Sequence, residues 1–180
     1  MKKSILGLAI SAFFVVGAAQ AETNPNDVSA TLSVSGSVTA SLSPCTVNLN
    51  QTSISLSADI KELVAQGATA TPVNQVDMTI SGDEQCNDLV SQGKMAYKFI
   101  GTADNALGTS LTNTLTGESA ANGIGIALYN TDGQILSINK DTVTATTTPT
   151  HLGLGLVKLD GQEATAGSVQ GSLTIQIERL

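Results

Sequence analysis

Two segments near opposite ends of this 180-residue chain alternate strictly between apolar or small residues and polar ones. The first covers residues 30–40 (ATLSVSGSVTA), ahead of the first cysteine, and the second covers residues 169–177 (VQGSLTIQI). A period of two residues is that of a β-strand that buries one face. The first segment precedes all the other strand patterns, which predicts a strand outside the core of its own domain. Together the two segments indicate a domain that provides one strand and requires another.

The first 21 residues are predicted to be an export signal, domain 1–21 of the chain. Lys2 and Lys3 precede an apolar run at residues 5–19, and residues 19–21 (AQA) fit the pattern at which signal peptides are cleaved. The apolar run is short for a membrane-spanning helix, and polar residues follow it at once. We therefore expect an exported mature chain, with a retained anchor helix as the less favoured alternative.

The charge of the chain argues against two classes of partner. It carries 8 basic and 15 acidic residues, for a net charge of −7. Removal of the predicted signal takes away two lysines, so six basic residues remain and the net charge becomes −9. An acidic surface repels phosphate groups and anionic lipid, so we expect neither nucleic-acid binding nor membrane insertion.

Catalytic and metal-binding patterns are missing from the sequence. Its one histidine, His151, has no recognisable nucleophile beside it, and two cysteines with one histidine are too few for a tetrahedral zinc site. Gly123-x-Gly125 and Gly153-x-Gly155 lack the strand, loop and helix context of a phosphate site, which indicates close packing within strands. The prediction is a protein without enzymatic activity, cofactor or metal.

Composition and periodicity both predict an all-β fold. The chain has no Trp and few other aromatic residues, so we expect an aliphatic core, and its Thr, Ser and Gly content favours strands. Helix is a serious option only at residues 59–66. Residues 142–148 could be an edge strand or a loop, and residues 130–133 (NTDG) predict a tight hairpin. The other predicted strands are residues 42–49, 52–58, 75–80, 94–100, 123–129, 134–138, 152–157 and 169–177.

Cys45 and Cys86 are predicted to form a disulfide, because an exported protein reaches an oxidising compartment. On the chain-entropy model such a bridge contributes roughly 4 kcal/mol to stability. A free pair of thiols is the less favoured alternative.

Once these elements are placed in order, the chain resembles chaperone-usher fimbrial subunits of the type 1 pilin kind. The matching features extend over the whole mature chain, and their order and spacing carry the resemblance. They are Gly36 within the alternating arm, residues 44–47 (PCTV), residues 97–103 (YKFIGTA), residues 123–128 (GIGIAL) with Asp132-Gly133 after them, and residues 164–167 (ATAG).

The resemblance implies an incomplete immunoglobulin-like sandwich that a donated strand completes. It divides the mature chain into a donor arm at residues 22–41 and a pilin domain at residues 42–180. The implied donor-strand residues are Ala30, Leu32, Val34, Gly36, Val38 and Ala40. The implied acceptor residues, on and beside the terminal strand, are Val169, Gly171, Leu173, Ile175, Ile177 and Leu180.

The resemblance also implies partners and a location. A periplasmic chaperone and an outer-membrane usher would deliver the subunit, and neighbouring subunits would join it head to tail in a fimbria on the cell surface. One departure from the family pattern is Arg179, which stands where an aromatic residue is common.

Two other interpretations remain open at this point. The arm could be the first strand of a complete sandwich. The chain could also be a carbohydrate-binding adhesin, either secreted or at a pilus tip. A tip adhesin would be expected to have a further N-terminal domain, and sugar sites commonly use exposed aromatic residues.

Overall fold

The computed structural model describes Ser35, residues 44–72 and residues 74–180. All of these except Ser35 belong to one compact unit, Ser41–Leu180. The predicted signal, the predicted arm apart from Ser35 and all six predicted donor residues therefore lie outside the described residues.

Strands dominate this part of the chain. Its elements in chain order are β1 (Cys45–Leu49), β2 (Val64–Ala65), β3 (Asn74–Gly82), α1 (Glu84–Ser91), β4 (Met95–Gly101), β5 (Leu111–Thr112), β6 (Ile124–Tyr129), β7 (Ile135–Leu136), β8 (Thr142–Thr144), β9 (Thr150–Lys158) and β10 (Leu173–Arg179).

The strands form two sheets. The larger has the order β1-β3-β9-β6-β5, with β2 beside β9 and β7 beside β6, and the smaller has the order β10-β4-β8. Among the pairings of these described strands, only that of β2 with β9 is parallel. One hydrophobic cluster takes buried side chains from both sheets, including Met78 of β3 and Phe99 of β4. The predicted all-β sandwich is confirmed.

The core is less purely aliphatic than the composition predicts. Tyr97, Phe99 and Tyr129 are among its largest fully buried side chains, and they are all the aromatic residues that follow the predicted signal. Tyr97 and Phe99 lie between the sheets because alternate residues of β4 point inward. Tyr129 belongs to a second, smaller cluster with Ala127 and Val157.

Glycines in β9 and β6 allow close packing, as predicted. A Cβ atom at Gly153 would lie 2.1 Å from Cγ of Pro72 and 3.3 Å from Cβ of Tyr129. A Cβ atom at Gly125 would lie 2.9 Å from Cδ2 of Leu159. The missing side chains therefore leave room for other parts of the chain to pack against these strands.

The helix considered as an option at residues 59–66 does not form. Residues 59–66 form a turn, in which the carboxylate of Asp59 accepts a hydrogen bond from the Lys61 amide, and then the short strand β2. The one described helix is α1, which none of the sequence patterns indicated. Asp83 caps it by accepting a hydrogen bond from the backbone amide of Cys86, and Cys86 and Val90, one turn apart, are its buried residues.

The Cys45–Cys86 disulfide is confirmed, and it joins the start of β1 to α1 with the two Cα atoms 5.7 Å apart. The predicted hairpin is also confirmed. Asn130 accepts hydrogen bonds from the Asp132 and Gln134 amides, and Gly133 adopts a positive φ of 74°.

The last strand begins later than predicted, at Leu173. Residues 169–172 bond to another segment instead. The Gln170 amide donates a hydrogen bond to the Asn113 side chain, and the Gln170 carbonyl accepts one from the Thr114 amide. Within residues 44–72 and 74–180, no helix combines the length and the hydrophobicity needed to cross a membrane.

Candidate functional site

An apolar cleft of about 370 Å³ opens onto the core of the sandwich. Its floor is the inner face of the larger sheet, and two segments form its walls. The floor residues are Val76, Leu111, Ile126, Leu152, Leu154 and Leu156. The wall residues are Leu49, Gln51, Thr52, Ser53, Ile54 and Leu56 on one side and Val169, Gln170, Gly171, Ser172, Leu173 and Ile175 on the other.

Among the described strands, β10 pairs only with β4, and its other edge lies at this cleft. It is the outer strand of the smaller sheet, and the Leu180 amide donates a 2.9 Å hydrogen bond to the carbonyl of Lys94, next to β4. Antiparallel strands direct the main-chain groups of alternate residues toward the partner strand. The amides and carbonyls of Leu173, Ile175 and Ile177 therefore point away from β4.

β1 presents a second free edge, at the border of the larger sheet. The Asn50 amide donates a 3.1 Å hydrogen bond to the carbonyl of Asp77, so the same alternation turns the main-chain groups of Val47 and Leu49 away from β3. β1 and β10 lie near each other. Within residues 44–72 and 74–180, no strand pairs with these two edges, and the apolar floor lies beside them. An added β-strand requires this combination.

The predicted acceptor residues divide into three groups. Val169, Gly171, Leu173 and Ile175 line the cleft. Ile177 packs against the core without lining the cleft. Leu180 is 62% exposed and lies outside it.

Sequence reasoning missed the opposite wall and the floor. A signal for that wall was present, because residues 52–58 alternate and place Ile54 and Leu56 on one side. Both side chains are half-buried against the core, although no strand is formed there. The floor residues come from several strands, so no local pattern reveals that they share a cleft.

The described residues that line the cleft include no charged side chain, and their polar atoms belong to Ser, Thr, Gln and the main chain. An ionic ligand would lose its hydration there without gaining an opposite charge. In the described part of the chain, no cluster of three or more His, Cys, Asp or Glu side chains could hold a metal ion. The chemistry of the cleft therefore suits an apolar, extended peptide segment.

Asp104, outside the cleft lining, is a buried carboxylate that is 5% exposed. Burial raises its pKa, but hydrogen bonds from the Ser110 amide, the Gln66 side chain and the Gly108 and Ala106 amides together hold the pKa below its usual range. At neutral pH the carboxylate is therefore ionised in the folded state, and its hydrogen bonds organise the surrounding loop.

The fimbrial protein family model matches residues 32–178 of the sequence. The chain belongs to this family. As a family member, it is a structural subunit of a pilus that polymerises with neighbouring subunits. No curated protein sequence matches this fimbrial subunit.

Two solved structures are similar to the fimbrial subunit. The crystal structure of the P pilus rod subunit PapA is similar with a TM-score of 0.52 and 16% identity, and the match covers 76% of this chain and 92% of PapA. A structure of a chaperone-usher pilus has a TM-score of 0.49 and 16% identity, with 89% of this chain and 100% of the other covered. The PapA likeness shows the immunoglobulin-like sandwich that the resemblance implied.

Proposed function

We propose that this fimbrial subunit polymerises by donor-strand exchange, in which its cleft receives the N-terminal arm of a neighbouring copy. The observation that carries the proposal is the open cleft between the edges of β1 and β10. Main-chain groups of Leu173, Ile175 and Ile177 face the open side of β10, and the core floor lies beside them. A strand inserted there would pair through its main chain and bury its apolar side chains.

The proposed donor face is the alternating set Ala30, Leu32, Val34, Gly36, Val38 and Ala40. Burying its larger apolar side chains at about 1.5–3 kcal/mol each would supply on the order of 10 kcal/mol before ordering costs. Such a stabilisation suits a persistent polymer. A head-to-tail contact that does not close on itself also produces filaments.

The remaining features of the proposal follow the family resemblance. Residues 1–21 direct export and are removed, residues 22–41 form the donor arm and residues 42–180 form the pilin domain. A periplasmic chaperone occupies the cleft during transit, and an outer-membrane usher exchanges that chaperone for the next subunit at the cell surface. The role is structural and not enzymatic.

The cleft favours strand binding over the alternative of carbohydrate binding. Sugar sites commonly stack aromatic rings against the ligand, and Tyr97, Phe99 and Tyr129 are fully buried. The cleft lining is mainly aliphatic and contains none of the three.

Deletion of residues 30–38 tests the proposal. We expect the deleted chain to remain a monomer or a chaperone-bound complex, because the cleft has no strand to receive, whereas the unaltered chain forms a ladder of polymers on a denaturing gel run without heating. Normal polymerisation of the deleted chain would show that another segment provides the junction.

A further inference from the structure

The chain leaves the larger sheet abruptly at the end of β1. Register with β3 continues through the pair Leu49 and Met78, and β1 ends there. The next residues form a cleft wall, because Gln51 and Ile54 line the cleft while β3 continues without β1 beside it. The main-chain groups of β3 beyond this pair therefore need hydrogen-bond partners other than the main chain of β1.

The Asn50 side chain replaces part of that pairing. In a regular antiparallel ladder, the Asp77 amide would bond to the main-chain carbonyl of Asn50. The Asp77 amide instead donates a 3.0 Å hydrogen bond to Oδ1 of Asn50, and Nδ2 of Asn50 donates a 3.2 Å bond to Oδ2 of Asp77. Oδ1 of Asn50 thus takes the acceptor position of a strand carbonyl. The Asn50 amide still donates to the Asp77 carbonyl, and the chain turns toward the cleft from Gln51 onward.

The Gln51 side chain takes the place of a main-chain group in the same way, one step further along β3. Its Nε2 donates a 3.0 Å hydrogen bond to the carbonyl of Gln75, which a continuing β1 would have paired with the amide of Thr52. Asp77 is held in turn by His151, whose Nδ1 lies 2.6 Å from Oδ1 of Asp77. Asn50 and Gln51 are exposed, so neither contributes a buried apolar surface to the core.

We propose that Asn50 and Gln51 are positioning residues that hold the cleft wall at residues 51–56 where a donated strand can pair with it. This inference rests on the strand-acceptor function proposed above. By bonding the Asp77 amide and the Gln75 carbonyl, the two side chains remove the tendency of residues 51–52 to continue along β3. Without them, the wall moves relative to β10 and a bound strand is held less tightly.

Release of a labelled arm peptide tests the proposal. A fluorescent peptide of residues 27–41 is bound to the full chain, and its dissociation rate is measured for the unaltered protein, Asn50→Ala and Gln51→Ala. Each variant loses bonds between the wall and β3, and a wall that is free to move away from the bound strand should release the peptide about tenfold faster. The midpoint of unfolding of the peptide-free chain, measured beside it, should change little because both residues are exposed.

A matched control and a rescue variant separate positioning from general damage. Asn48→Ala also removes a side-chain hydrogen bond between the β1 segment and β3, the bond to Ser81, but Asn48 lies within β1 and not at the cleft wall. This variant should leave the release rate unchanged. The double variant Asn50→Asp/Asp77→Asn exchanges donor and acceptor between the two side chains and should restore slow release.

The outcomes distinguish this inference from the function on which it rests. If the unaltered chain does not retain the peptide, strand acceptance itself is wrong. If it retains the peptide and both alanine variants release it at the same rate as the unaltered chain, or if Asn48→Ala accelerates release equally, the positioning role is overturned. A fall in unfolding midpoint with unchanged release would also overturn it.

Discussion

Nε2 of Gln66 donates a 2.8 Å hydrogen bond to the buried carboxylate of Asp104, which lies 38 residues away in sequence. Oε1 of the same glutamine accepts a bond from the Asp160 amide. Gln66 therefore connects two loops that share no strand pairing.

Replacement of Asp104 is expected to change the response to acid. Folding lowers the pKa of Asp104, so the ionised group stabilises the fold at pH values above its unfolded-state pKa of about 4. This contribution disappears as the pH falls through the folded-state pKa. Asp104→Asn should lower the free energy of unfolding by about 1–3 kcal/mol at neutral pH. On acidification, the free energy of unfolding of the variant should fall less than that of the unaltered chain. Chemical denaturation at several pH values measures both effects. Asp132→Asn, in an exposed turn, is the control, and identical acid responses of Asp104→Asn and the unaltered chain would contradict the prediction.

Gly153→Ala should destabilise the domain by roughly 1–3 kcal/mol, because the added Cβ would lie 2.1 Å from Cγ of Pro72. Gly155→Ala is the matched control in the same strand and on the same face. Its Cβ would lie 3.4 Å from Cε2 of Tyr129, an ordinary contact. Thermal unfolding of the two variants side by side measures the difference, and equal midpoints would show that Pro72 moves away freely.

Loss of the Cys45–Cys86 bridge should destabilise the unassembled subunit by roughly 4 kcal/mol, since the bridge restricts the unfolded chain. Cys45→Ala/Cys86→Ala avoids leaving a reactive thiol. The amount of soluble subunit in the exported fraction, read by immunoblot, should fall. Unchanged yield together with an unchanged denaturation midpoint would count against this contribution.

A charge on the apolar face of the arm should block polymerisation, whereas the same charge on its polar face should not. Leu32→Asp would bury a carboxylate in an uncharged cleft, which is strongly unfavourable. Ser33→Asp places an equal charge one residue away, where an alternating strand faces outward. Gel ladders of the two variants give the comparison, and equal ladders would refute the proposed donor face.

The strands and the disulfide could be predicted because their signals are local. Alternation marked β3 and β4, the Asn130 and Gly133 turn marked the hairpin, and the predicted export of a chain with two cysteines indicated the bridge. Helix α1 was missed because its eight residues include few apolar ones and its stability depends on the Asp83 cap and the covalent attachment of Cys86.

The cleft could be predicted only in part. The terminal segment indicated one wall, since Leu173 and Ile175 alternate with polar residues. The opposite wall depends on the departure of the chain at Asn50, and that departure depends on Asp77, which lies 27 residues further along the chain. Such a contact between distant residues leaves no periodic trace in the sequence.

The uncharged lining of the cleft has a consequence for fibres in changing surroundings. Dissolved ions weaken attractions between charges, but a junction made of aliphatic side chains and main-chain bonds contains no such attraction to weaken. A filament joined there would keep its length in fresh water and in brine alike. Agents that solvate hydrocarbon and peptide groups, such as concentrated urea or guanidinium, would be the effective means of taking it apart.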